Sequence, residues 1–241
     1  MIFEDFFIAN MYNSPVMKPK NLKCPFPWEK RKVILADRVW FVPGCLDNYS
    51  DFSFPGWESP QFFGNANPIY VEYCSGNGAW IAEKAKAHPD VNWVAVEIQF
   101  ERVRKIWSKI KNLELDNLIV VCGAAECVTS HYFPPSSIQK AFINFPDPWP
   151  KRRHAKHRII KTDFIADIGR SLKEGGEVTL VTDDPDYSQE MQKTLSRAPN
   201  FHPIHPAPYY VTHIEGYGSS FFDELWRAKG KTIHYHQSKK V

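Results

Sequence analysis

From residue 68 onward, short apolar runs alternate with stretches whose apolar positions recur at helical spacing, and this rhythm restricts the fold more than any other feature. Ile69-Tyr-Val-Glu-Tyr73 reads as a strand, a glycine-containing turn follows, and residues 79–87 read as a helix stopped by His88-Pro89. Residues 93–96 form the next strand, ending at Glu97, and residues 99–111 set Phe100, Val103, Ile106, Trp107 and Ile110 on one helical face. Strands are predicted at 118–121, 141–143, 178–181 and 232–235, and helices at 163–172 and 187–197, the former closing at Gly175-Gly176. This order predicts an α/β fold, a mostly parallel sheet with helices on both faces. Ligands of such sheets bind beyond the carboxyl ends of the strands. Glu72 and the turn at 74–78, Glu97, the segments after Val121 and Ile143, and Asp183 are therefore expected along one rim.

Residues 1–65 lack this rhythm. Pro25, Pro27, Pro43, Pro55 and Pro60 are interleaved with Trp28, Trp40, Phe52, Phe54 and Trp57, which predicts an irregular, aromatic-rich N-terminal extension packed on a core of residues 66–241. Residues 32–42 can pair as short strands. Lys18, Lys20, Lys23, Lys30, Arg31 and Lys32 suit either a phosphate backbone or an ordinary solvated face. The net charge of +3 does not by itself demand a nucleic-acid partner. No apolar run approaches the roughly 18 residues of a membrane span, and no secretory signal is apparent. The five cysteines, Cys24, Cys45, Cys74, Cys122 and Cys127, form no CxxC pair, so free thiols in a reducing cytoplasm and no metal are expected.

Glu72-Tyr-Cys-Ser-Gly-Asn-Gly78 lies at a strand-to-helix turn, where Gly76 and Gly78 let the backbone approach a ligand. A dinucleotide needs G-x-G-x-x-G, and Ile81 stands at the third glycine position. A cationic sulfonium cofactor with an amino group is better served by the acidic Glu72, although the glycines also suit a plain tight turn. Glu97, about 20 residues further on, can accept both hydroxyls of a ribose; an exposed strand-end carboxylate is the simpler alternative.

The most specific segment follows the fourth strand: Asn144-Phe-Pro-Asp-Pro-Trp-Pro-Lys-Arg-Arg-His-Ala-Lys-His-Arg158. Its prolines stiffen the loop around Asp147 and Trp149. The adjacent Lys151, Arg152, Arg153, Lys156 and Arg158 supply the charge that phosphate contact needs.

The run F-P-D-P-W-P-K-R-R-H-x-K-x-R, with Glu72…Gly-Asn-Gly78 before it and Thr182-Asp183 after it, resembles the bacterial tRNA guanine-N7 methyltransferases of the TrmB type over roughly residues 67–236. The resemblance implies a class I, Rossmann-like methyltransferase fold, S-adenosyl-L-methionine as cofactor, and methyl transfer to a guanine of the tRNA variable loop, position 46. It implies Asp147 as the acidic residue of the catalytic site. Glu72, Gly76, Gly78, Glu97, Gly123, Ala124, Asn144 and Asp147 would bind cofactor. Lys151, Arg152, Arg153, Asp183 and the segment Ser220-Phe-Phe-Asp223, standing where the family has T-x-[FY]-E, would bind tRNA. A monomer or homodimer is expected. Three positions depart from the family pattern: Cys74 replaces the first glycine of the turn, Gly123 replaces a common aspartate, and Leu225 replaces a common basic residue. On the residues alone two other readings stay open, a methyltransferase acting on another base nitrogen and a non-catalytic RNA-binding protein on the same fold. A nicotinamide dehydrogenase gives the 144–158 loop no role.

Overall fold

The structure, a computed structural model, describes residues 16–27, 33–42, 53–218 and 220–241. The basic residues Lys30, Arg31 and Lys32, with Trp28, Pro43, Cys45 and Phe52, lie outside the described residues. In chain order the elements begin with β1 (Ile34–Ala36), β2 (Val39–Phe41), β3 (Ile69–Tyr73), α1 (Ala79–Ala87), β4 (Asn92–Glu97), α2 (Phe100–Asn112) and β5 (Leu118–Cys122). They continue with α3 (Ala125–His131), β6 (Ile138–Asn144), α4 (Thr162–Ser171), β7 (Leu172–Thr182), α5 (Pro185–Arg197), β8 (Phe201–Pro203), α6 (Phe221–Ala228) and β9 (His234–Lys240). All nine strands join one sheet in the order β1-β2-β5-β4-β3-β6-β7-β9-β8. Strands β2 through β7 run parallel, and β1, β9 and their pairings supply the antiparallel contacts. The expected α/β sheet is present. Among the described residues no helix is long and apolar enough to cross a membrane.

Every residue of β4 and of β5 is buried, as both faces of a parallel strand flanked by helices must be. On α2 the apolar stripe Val103, Ile106, Trp107 and Ile110 is buried, and the charged residues occupy the other face. One core cluster fills each side of the sheet, and β3 contributes to both the sheet centre and the site.

The strand order turns back between β3 and β6. Helical connections lead from β3 outward to β4 and β5 on one side, and β6 and β7 extend the sheet on the other. Such a switch point opens a crevice at the carboxyl ends of the strands, and Glu72 and Asn144 stand on its two banks.

The predicted pairing within 32–42 is realised as β1 and β2, joined by Asp37 and Arg38, both with positive φ. Two left-handed residues make a hairpin turn whose twist matches that of the strands. Arg38 fixes the turn from its side chain, donating to the Phe62 carbonyl at 2.9 Å and pairing with Asp116 at 3.3 Å. Strand β2 then extends the main sheet by pairing in parallel with β5. This puts Trp40, fully buried, among Phe54, Trp57, Phe62, Tyr132 and Phe133 at ring separations of 5.1–6.2 Å. The aromatic excess of the N-terminal region thus seals one face of the sheet against the end of α3.

Several expectations change in detail. Gly175-Gly176 does not terminate the preceding helix, which ends at Ser171; the pair lies in β7, where residues 172–177 span the same stretch of ladder as 138–140 on β6. This bulge was unreadable from a Gly-Gly pair that equally marks a helix end. The last strand runs from His234 to Lys240 rather than 232–235, and α3, β8 and α6 carry too short a periodic signal to be read. Cys24, Cys74 and Cys122 are free thiols as expected. Cys127 is disulfide-bonded, against that expectation.

Truncating Trp40 to alanine leaves a large void in this aromatic cluster. A loss of about 3–5 kcal/mol of unfolding free energy is expected, seen as a lower urea midpoint with an unchanged slope. A loss below about 1 kcal/mol would show that β2 is not held by the cluster.

Candidate active site

A cleft of about 420 Å³ opens at the carboxyl ends of β3, β4, β5 and β6. Of the residues expected to bind cofactor, Glu72, Gly76, Glu97, Gly123, Ala124, Asn144 and Asp147 all line it. Gly78 does not line it. A Cβ there would fall 2.6 Å from Ile106 Cγ1, so this glycine lets α1 approach α2 and shapes the cleft from behind. Cys74, in the place of the family's first glycine, adopts a left-handed φ of +57° and faces the cleft. Burial pushes its thiol up to about 12, so it is a neutral thiol there.

Glu72 is 3% exposed and lies at the floor. Its Oε1 accepts from Asn144 Nδ2 at 2.8 Å, and its Oε2 is buried with no hydrogen-bond partner. Burial raises its pKa from 4.5 to about 7, with the hydrogen bond from Asn144 opposing and the charge of Glu97 adding to the rise. An acceptor buried without a partner is costly, and a carboxylate left so awaits a cation or a donor from a ligand.

Glu97 is bound differently. Its Oε2 accepts from the Gly76 amide at 2.9 Å and its Oε1 from the Gln99 amide at 2.9 Å, which locks the turn after β3 to the end of β4. Each oxygen keeps a further lone pair, so the carboxylate can still accept two hydroxyls. The expectation of a ribose contact fits this geometry; the alternative of an exposed strand-end Glu does not, since Glu97 is 4% exposed.

Gly123 closes the far end of the cleft. A Cβ at this position would fall 2.7 Å from the Val42 carbonyl oxygen, because the chain leaving β2 runs directly over it. The glycine at position 123 is thus tied to the course of strand β2.

The segment after β6 forms the opposite wall. Phe145, with φ +50°, and Asp147 line the cleft, and Asp147 is exposed. Arg158, grouped by sequence with the phosphate-facing residues, points inward instead. Its Nε donates to the Pro148 carbonyl at 2.7 Å, it pairs with Glu190, and it stacks over Tyr187 at 5.0 Å. It clamps the loop rather than facing solvent. Trp149 packs on His154 and His157 at 5.8 and 5.3 Å and does not line the cleft, whereas Phe145 lies 6.3 Å from Phe222. Lys151, Arg153 and Lys156 are exposed beside the cleft, and Arg152 opens the 3-10 turn Arg152–His157.

The segment at 220–223 divides its roles. Ser220 lines the cleft and caps α6, accepting from the Asp223 amide at 3.2 Å. Asp223 is 5% exposed and turned away, bonded to Arg227 and to Tyr235 Oη at 2.6 Å. Phe221 and Phe222 are exposed at the lip. Asp183 does not line the cleft; it pairs with Lys231, whose ammonium sits 4.1 Å over Trp226. Sequence reasoning missed Gln99, Arg102 and Lys105, which bring α2 to the cleft mouth. The signal was present in their spacing of three on the polar face of α2. It also missed Tyr217, whose Oη donates to Asn144 Oδ1 at 2.7 Å and for which no local pattern exists.

A raised carboxyl pKa means that the folded state favours protonated Glu72. Its contribution to stability is complete below pH 4.5 and is lost as pH rises through about 7. Relative to Glu72→Gln, the ligand-free protein is therefore expected to lose about 3 kcal/mol between pH 4.5 and pH 8. Urea unfolding of both proteins at several pH values checks this, and a pH-independent difference would contradict it.

Comparison with known proteins gives the family. The family model described as "Putative methyltransferase" matches residues 66–235. A tRNA (guanine-N(7)-)-methyltransferase of Chlamydia caviae is 45% identical over 219 residues, covering 91% of this chain and 96% of that protein. One from Geobacillus thermodenitrificans is 32% identical over 174 residues, covering 72% and 80%. Among solved structures, the 16S rRNA methyltransferase KamB superposes with a TM-score of 0.56 at 14% identity, covering 79% of this chain and 95% of that one. A SAM-dependent methyltransferase from Aquifex aeolicus gives 0.52 at 13% identity, with coverage of 73% and 85%. At those identities the likeness is one of fold. The match over most of the chain to relatives of a single kind places this protein in the family of tRNA (guanine-N(7)-)-methyltransferases.

Proposed function

We propose that this chain methylates N7 of the guanine at position 46 of the tRNA variable loop, with Asp147 holding the base. The reaction class, S-adenosyl-L-methionine as methyl donor and tRNA as substrate follow from family membership. The observation that carries the assignment of the cleft is Glu72, whose orphaned Oε2 suits the positively charged groups of that cofactor. Glu97 is proposed to accept its ribose hydroxyls, with Gly123 and Ala124 beside its base and Gly76 and Asn144 completing the walls. A cleft of about 420 Å³ is of the size that small-molecule cofactors occupy. Its substrate makes a cytoplasmic location the natural one.

The cofactor supplies an electrophilic methyl group, and guanine N7 offers an in-plane lone pair, so no proton has to leave before attack. The protein's task is then orientation and exclusion of water. In this reading Asp147, exposed on a proline-stiffened loop that Arg158 clamps, accepts hydrogen bonds from the Watson–Crick edge of an extruded guanine. Phe145, with Phe222 beside it, offers the stacking surface that splayed RNA bases use. Lys151, Arg153 and Lys156 hold the phosphate backbone, with Ser220 and Asp183 at the edge of the same face.

Incubation with labelled S-adenosyl-L-methionine and unmodified tRNA should yield labelled 7-methylguanosine, mapped by sequencing to position 46. Label at another guanine moves the target, and no labelled 7-methylguanosine refutes the reading. Asp147→Asn is expected to lower kcat by about 10²-fold; near-normal turnover would remove Asp147 from its role. Binding of tRNA should weaken steeply between 50 and 200 mM salt, by roughly 10-fold or more, and less steeply in the Lys151→Ala, Lys156→Ala double variant. Salt-insensitive binding would contradict the backbone contact.

A further inference from the structure

A chain of contacts links the floor of the cleft to the lip formed by α6, and Tyr217 stands in its middle. At one end Glu72 Oε1 accepts from Asn144 Nδ2, and Asn144 Oδ1 accepts from Tyr217 Oη. At the other end the Tyr217 ring packs edge-on against Tyr235 at 5.1 Å, and Tyr235 Oη donates to Asp223 Oδ2 at 2.6 Å in the first turn of α6. Asp223 in turn holds Arg227 one turn along the helix.

The segment carrying Tyr217 is built to be placed by this side chain. Gly216 and Gly218 flank it with φ of +68° and +78°, left-handed conformations that glycine adopts freely and that let the chain pivot on either side. Both glycines are exposed, whereas Tyr217 is partly buried. Two groups of α1 fasten the backbone here: Trp80 Nε1 donates to the Tyr217 carbonyl at 2.8 Å, and Lys84 Nζ donates to the Gly216 carbonyl at 2.6 Å. The segment thus spans from the helix that follows the cofactor turn to the helix that carries Ser220, Phe221 and Phe222. Burial holds the Tyr217 phenol well above its usual range, so its hydroxyl remains a donor under all working conditions.

We propose that Tyr217 is a positioning residue that couples cofactor binding at Glu72 to the placement of α6 against tRNA. The inference rests on the functional reading above. An ionised Glu72 facing a bound cation accepts only, so the Asn144 amide must turn its NH2 to Glu72 and its carbonyl to Tyr217. That donor order fixes the Tyr217 ring, and its packing against Tyr235, which holds Asp223, carries the constraint to the start of α6. Without a cation to hold the charge, a neutral carboxyl can itself donate to Asn144, and the order along the chain is no longer imposed. Coupling of this kind is reciprocal: cofactor tightens tRNA binding by the factor by which tRNA tightens cofactor binding.

The test measures the Kd of unmodified tRNA with and without saturating sinefungin, an S-adenosyl-L-methionine analogue that carries an ammonium group in place of the methylsulfonium and has no methyl group to transfer. The wild-type protein is expected to bind tRNA about tenfold more tightly with the nucleoside present, within the usual range for coupled sites. Tyr217→Phe keeps the ring and its packing while removing the hydroxyl. It should bring the ratio to within about twofold of unity, leaving tRNA affinity without cofactor nearly as in wild type. Tyr235→Phe, which cuts the chain on the other side, should reduce the ratio as well. A residue with a merely structural role would change affinity in both conditions alike and leave the ratio intact, and that result overturns the proposal. Wild-type protein that binds both ligands without mutual tightening also overturns it and leaves the methyltransferase reading standing. A folded protein that binds no tRNA at all removes both.

Discussion

A carboxylate buried with half of its hydrogen-bonding capacity unused is the interaction on which the rest of the site depends. Glu72 sits at the point where the strand order turns back, between β3 and β6, and a carboxyl group there is expensive until something charged or donating meets it. That burial raises the Glu72 pKa to about 7. The surrounding groups act to keep Glu72 in place rather than to satisfy it. Asn144 holds one oxygen, and Ser75 Oγ, donating at 2.8 Å to the Glu72 carbonyl, ties down its backbone. A site organised in this way stores binding energy for a cationic ligand and gives little to a neutral or anionic one.

The two walls of the cleft are stiffened by different means. On one wall, the turn after β3 is fastened to β4 through Glu97 and the Gly76 amide, and Gly78 admits α1 against Ile106. On the opposite wall, the loop after β6 relies on prolines and on Arg158, which pairs with Glu190 and donates to the carbonyls of residues 148 and 149. Strand β2 adds a third constraint. It lies over the end of β5, leaves no room for a side chain at position 123, and so links the N-terminal aromatic cluster to the far end of the cleft.

The sheet, the helices with long periodic faces and the rim were legible in the sequence because parallel strands buried on both sides and amphipathic helices leave strong local patterns. Glu72, Glu97 and Asp147 were legible as cleft residues for the same reason: each lies at, or a few residues beyond, the end of a strand that could be read. What the sequence hid depends on tertiary context. Arg158 and Lys156 are indistinguishable in a basic run until the fold sends one inward to the loop carbonyls and leaves the other in solvent. Asp223 looks like a substrate ligand by position, yet the fold turns it towards Tyr235 and Arg227. Tyr217 has no periodic neighbours between its glycines, so only the folded chain brings its hydroxyl to Asn144. The hairpin at Asp37-Arg38 lacks the usual Asn-Gly or Asp-Gly signal, and long-range bonds from Arg38 stand in for it.

The central claim is that Glu72 is protonated in much of the free protein near neutrality and becomes an ionised partner when the methyl donor binds. Calorimetric titration of S-adenosyl-L-methionine at pH 6, in buffers of different ionisation enthalpy, counts the protons exchanged on binding. Release of close to one proton by the wild-type protein, and of none by Glu72→Gln, is the result this account predicts. Identical proton balances for the two proteins would contradict it.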